Sequence, residues 1–168
     1  MKEITVNDSR MYGLMVLYDM HTGFFKRAIE GIAHEAANNR LDTQANHVAW
    51  LTGSLVQQRY EAANLFGRQM QQAAHGLFRD YQGIKDDVTY PPLAEFLQDW
   101  EKVSPVVRDI FVKLDATQLD AEYDMEGMKM TYYELISFMA YREASCIGQI
   151  ALWRRLLGYP PLRYDDMG

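Results

Sequence analysis

The sequence predicts an all-α fold: a four-helix bundle with a long crossover between its second and third helices. Three observations carry this. Proline is absent before Pro91, so the first half of the chain is free to be helical. Apolar residues recur at three- and four-residue spacing in four long stretches. The segment 68–92 lacks that period and is punctuated by Gly76, Gly83, Asp86-Asp87 and Pro91-Pro92, as a crossover with short helical pieces is.

The first helix opens at Asn7, Asp8 or Ser9, all good N-caps. Met11, Leu14, Met15, Tyr18, His21, Phe25, Ala28, Ile29 and Ile32 form its stripe over about 25 residues, and Asn38-Asn39 ends it. The second begins near Thr43. Its stripe is His47, Val48, Leu51, Ser54, Leu55 and Gln58, running on to Ala62 and Leu65, with Gly67 as the stop. The third follows Pro92 and has the cleanest period: Leu93, Phe96, Leu97, Trp100, Val103, Val107, Ile110, Phe111 and Leu114. Pro105 lies inside it, which predicts a kink or break near Val103-Ser104. Residues 115–130 are polar, with a short extended piece expected between Glu122 and Met130. Thr131 and Glu134 are spaced as a capping box for the fourth helix. Its stripe is Leu135, Phe138, Met139, Arg142, Ser145, Cys146, Gln149, Ile150 and Trp153; Gly158 and Pro160-Pro161 end it.

The chain of 168 residues fits one domain, 1–168, and buries enough surface to need neither disulfide nor metal for its core. A net charge of −6, from 23 acidic and 17 basic residues, argues against a nucleic-acid binder. Aromatic residues are not interleaved with Lys or Arg, so single-strand stacking platforms are not expected. The lone cysteine, Cys146, excludes an internal disulfide and fits a reducing compartment. Residues 1–10 are polar with no apolar segment behind a basic start, and no apolar run approaches the ~20 residues of a membrane span. A cytoplasmic protein with no membrane partner is the expectation. None of GxGxxG, Walker A, HExxH, CxxC or GxSxG occurs.

The informative residues are the polar ones on core stripes. His47 starts the second stripe; a hydrogen-bonded core histidine is the plainer reading, a ligand the sharper one. Arg142, Cys146 and Gln149 share one face of the fourth helix. An arginine there needs an anionic or strongly accepting partner, unless it snorkels to the mouth of the bundle. Cys146 reads first as a small buried hydrophobe. His21 reads as core, His34 and His75 as solvated.

Laid out this way, the chain resembles the DinB/YfiT-like superfamily of bacterial four-helix bundles. The stretch Met130–Tyr164 carries most of the likeness. Gly148-Gln149-Ile150 and Arg154-Arg155-Leu156-Leu157-Gly158 match the family's fourth helix, and Asn46–Leu51 resembles its second. The resemblance implies a homodimer, for which Trp153, Tyr159 and Leu162 are exposed candidates. It also implies a divalent metal, zinc or nickel, held by three histidines, and in some relatives thiol-dependent transferase or isomerase activity. Here His47 matches the first ligand position, while Arg142 and Cys146 stand at the other two. Arginine has no lone pair to offer and repels a cation. The expectation is therefore a lost metal site and no cofactor. Arg142, His47, Cys146 and Gln149 would line a pocket for a small anionic metabolite, with Cys146 open to activation beside the cation. Two alternatives stand beside it: a transferase acting on a thiol-containing metabolite, with zinc on His47, Cys146 and a further ligand; and a non-catalytic structural or regulatory homodimer.

Overall fold

The computed structural model describes residues 3–125 and 127–165. Four long helices pack against one another: α1 (Met11–Ile29), α3 (Val48–Leu65), α4 (Leu93–Lys113) and α6 (Tyr132–Leu156). Two short helices, α2 (His34–Ala37) and α5 (Ala116–Asp120), and an antiparallel hairpin of β1 (Glu122–Met125) and β2 (Met128–Thr131) complete the order. No helix is long and apolar enough to cross a membrane among the described residues.

Cross-helix contacts fix the directions. Arg10 lies over Tyr133, His21 meets Glu143, and Arg154 reaches Ala28 O, so α1 and α6 run parallel. Asn46 O accepts from Trp153 Nε1, and Gln58 reaches Met139 O, so α3 runs against α6. Tyr60 meets Asp99 and Phe66 meets Phe111, so α3 and α4 are parallel. The helices go up, down, down and up, in the ring order α1, α6, α3, α4. Parallel α3 and α4 require the intervening chain to return along the whole bundle, and 66–92 does so with two 3-10 turns, His75–Leu77 and Arg79–Tyr81. It packs tightly on α3: a Cβ on Gly53 would fall 2.2 Å from the Phe78 ring and 2.7 Å from that of Phe96. Only glycine lets the crossover approach this closely.

Several expected boundaries shift. The first helix stops at Ile29, and Gly31, at φ +73°, separates it from α2. Its start is Met11, where Asp8 Oδ1 accepts from Arg10 N rather than capping the helix itself. The second long helix starts at Val48, later than Thr43, with His47 as its N-cap. Pro105 does not break α4, which runs continuously from Leu93 to Lys113. The capping box forms as expected, with Thr131 Oγ1 accepting from Glu134 N and Glu134 accepting from Thr131 N. The expected extended piece becomes the hairpin, Glu126 lying outside the described residues, as do residues 1 and 2 of the polar start.

Trp153, Tyr159 and Leu162 are not the exposed surface expected of them. Trp153 and Leu162 are buried and Tyr159 is half-buried. The chain after α6 folds back onto the end of α1. Arg154 donates to Ala28 O, Glu30 O and Pro160 O, Tyr159 Oη accepts from Ala33 N, and Tyr164 packs edge-on against Phe24.

Candidate functional site

The strongest electrostatic feature of the interior is one that residue patterns did not reveal. Arg59 of α3 is wholly buried at the centre of the bundle. It donates from Nε and Nη2 to the two carboxylate oxygens of Glu143 on α6, at 2.7 and 2.9 Å. Its Nη1 donates to Thr22 Oγ1 and Ser104 Oγ, at 2.8 and 2.7 Å. The guanidinium lies between the rings of Trp100 and Tyr18, 3.5 and 4.0 Å from their centroids. All four long helices thus meet on one cation. Burial opposes charge on Glu143, yet the guanidinium beside it holds the carboxyl below its ordinary range. His21 Nδ1 lies 3.3 Å from Glu143 Oε2 without an aligned hydrogen bond. This cluster is saturated and closed, which suits a structural core better than a reacting centre.

The expected pocket residues fall on the opposite seam, between α3 and α6, and are only partly brought together. Arg142 is half-buried. It donates from Nη1 to Gln58 Oε1 at 3.0 Å, from Nη1 to Ser54 O at 3.5 Å, and from Nη2 to Ser54 Oγ. Gln58 is oriented by its own bond to Met139 O. Every partner is neutral. Arg10, Arg40, Arg59 and Arg108 each meet a carboxylate, whereas Arg142 meets none among the described residues. Its Nε–H and the adjacent edge of Nη2 make no hydrogen bond there, so the side-on face of the fork stays open.

His47 does not join it. Ser54 lies seven residues further along α3, about 10 Å of helix rise. His47 Nδ1 accepts from Trp50 N at 3.1 Å as the N-cap, and its ring meets Tyr90 edge-on. Cys146 is buried, and burial pushes its thiol up by more than the Arg142 charge lowers it, which opposes a reactive thiolate. Gln149 is exposed on the outer edge of α6. Of the other histidines, His34 is exposed, while His75 is half-buried with Nδ1 against Gln57.

Burial lowers the His47 ring to about 4, from an ordinary value near 6.5. The fold therefore favours the neutral ring. Its contribution is complete above about pH 6.5 and is lost as pH falls towards 4, a loss of about 1–3 kcal/mol once solvent screening is allowed for. His47→Asn keeps a capping acceptor but does not titrate. Urea denaturation between pH 7 and 4.5 is expected to show a flatter stability profile for His47→Asn than for wild type; parallel profiles would assign the pH dependence elsewhere.

These residues do not suit a resident metal. The His47 lone pair at Nδ1 is committed to the cap, Cys146 favours the thiol form, and Arg142 brings positive charge. Among the described residues no three His, Cys, Asp or Glu side chains gather so as to hold an ion. A cavity of about 280 Å³ lies on the far side of the bundle between α1 and α4, lined by Tyr18, Thr22, Trp100 and Ser104, with the Lys26–Glu101 and Asp19–Arg108 pairs beside it. Compared with models of known protein families the chain matches none, and no significant relative is found among curated proteins.

Proposed function

We propose that the protein is a small-anion-binding bundle of the DinB/YfiT-like type, without metal chemistry, which takes a carboxylate on the open edge of Arg142. The observation that carries this is the half-buried guanidinium held in place by neutral acceptors alone, its Nε/Nη2 edge unused. Ser54 and Gln58 fix the fork without neutralising it, so the charge is already oriented for a planar, bidentate partner. The order and directions of the helices, the crossover between α3 and α4, and the capping His47 support the type of bundle.

Calorimetric titration with a panel of small mono- and dicarboxylates, and with inorganic phosphate, tests the proposal. A carboxylate is expected to bind, and Arg142→Gln to weaken it by tenfold or more, because charge-assisted hydrogen bonds contribute about 1.5–3 kcal/mol each. Equal affinities in wild type and variant would refute the assignment. Phosphate binding in preference to every carboxylate would refute the ligand class.

A further inference from the structure

The outer face of α6 differs from that of the other helices. The solvent side of α4 is Glu95, Gln98, Glu101, Lys102 and Asp109, an ordinary wet surface, and α3 is covered by the crossover. On α6 the exposed row is instead Phe138, Tyr141, Ser145, Gly148, Leu152 and Leu156, with the large members 53, 69, 48 and 57% exposed. The steps from Phe138 to Leu152 alternate three and four, the seam of a helix that packs on another helix. Nothing in the chain covers it.

We infer that this face binds the same face of a second copy, with the two α6 helices antiparallel about a two-fold axis between Ser145 and Gly148. The row is complementary to itself in that orientation alone. Tyr141 falls opposite Leu152 of the partner subunit, and Ser145 opposite Gly148 of the partner subunit, so bulk meets bulk at the flanks while small residues let the axes close at the centre. Arg155 falls over Phe138 of the partner subunit, with Glu134 of the partner subunit one turn beyond and within the side chain's reach, and both contacts occur twice. A parallel pairing would set Glu134 against Glu134 and Arg155 against Arg155. The antiparallel register also sets Gln149 of the partner subunit on the same edge as Arg142. The exposed amide would then complete the fork that Ser54 and Gln58 leave open, and this last point rests on the carboxylate reading above.

Sedimentation and light scattering of the whole chain test the pairing. A particle of twice the 19.5 kDa chain mass is expected at micromolar concentration. The double variant Tyr141→Glu/Leu152→Glu is expected to sediment as a monomer with an unchanged circular-dichroism spectrum, since both side chains are exposed. Register is read separately. In a Cys146→Ser background, Tyr141→Cys with Leu152→Cys is expected to give a covalent dimer on mild oxidation. A monomeric wild type, a dimer indifferent to the two glutamates, or oxidation that gives no covalent dimer would each overturn the inference. The two readings fail separately: a monomer that still binds carboxylate through Arg142 overturns only the pairing, and a dimer that binds none overturns only the ligand.

Discussion

Glu143→Ala is expected to destabilise the protein by about 3–5 kcal/mol, as removal of one partner from a buried ion pair does. The substitution itself deletes little volume. The loss arises because Arg59 stays charged, fully buried, and stripped of two of its four hydrogen bonds. Removing both charges together avoids that penalty. Arg59→Met combined with Glu143→Leu is expected to lie within about 1–2 kcal/mol of wild type, because hydrophobic replacement of a buried pair is often close to neutral. Chemical denaturation of the two single variants and the double variant measures the coupling; a double variant as unstable as the sum of the singles would show that the pair does not act as a unit. Acid separates the variants further. With the Glu143 carboxyl held below its ordinary range, its contribution is present above the usual carboxylate pKa and lost as pH falls through the depressed one, so wild type should lose stability there that the double variant does not.

Trp100→Ala is expected to cost about as much, roughly 3–5 kcal/mol. One face of the indole stacks on Phe25, with centroids 3.9 Å apart and planes 11° from parallel, and Arg59 lies over the ring system at 3.5 Å. Its Nε1 donates to Thr22 O. Alanine leaves a void in the middle of the bundle and removes one of the two aromatic faces that flank the buried cation. Trp100→Phe keeps a ring between Phe25 and Arg59, and is expected to recover more than half of the loss. Thermal and urea denaturation of both variants check this, and a loss below about 1 kcal/mol for Trp100→Ala would mean that the core closes over the gap.

What could be read from sequence was local. The period of α4, the Thr131–Glu134 cap and the punctuation of the crossover depend on residues close along the chain, and each predicted its element. Pro105 misled because one missing N–H weakens a helix without ending it when Trp100, Val103, Ser104 and Val107 are all buried around it. The Arg59–Glu143 pair was invisible for a different reason. Residues 51–60 are buried throughout, since the crossover covers the side of α3 that would otherwise be wet. Gln57, Gln58 and Arg59 therefore look like a solvent face, and the carboxylate that explains Arg59 lies 84 residues away. Arg142 was found because it interrupts an apolar stripe. Its neutral partners Ser54 and Gln58 could not be, because helix direction decides which turn of α3 it meets, and His47 sits at another.

The fold-back of residues 157–164 onto the far end of α1 also governs the order in which the chain can mature. α1 packs against α4 and α6, not against the helix that follows it in sequence. On the ribosome its apolar stripe emerges first and waits until α4 has been made before any long partner exists. Its other flank stays open until α6 is complete, and Phe24 is closed only when Tyr164 leaves the exit tunnel. The nascent chain therefore holds its oldest hydrophobic surface uncovered for almost the whole of translation, as a holdase client does, and release from the ribosome becomes the step that shuts the bundle.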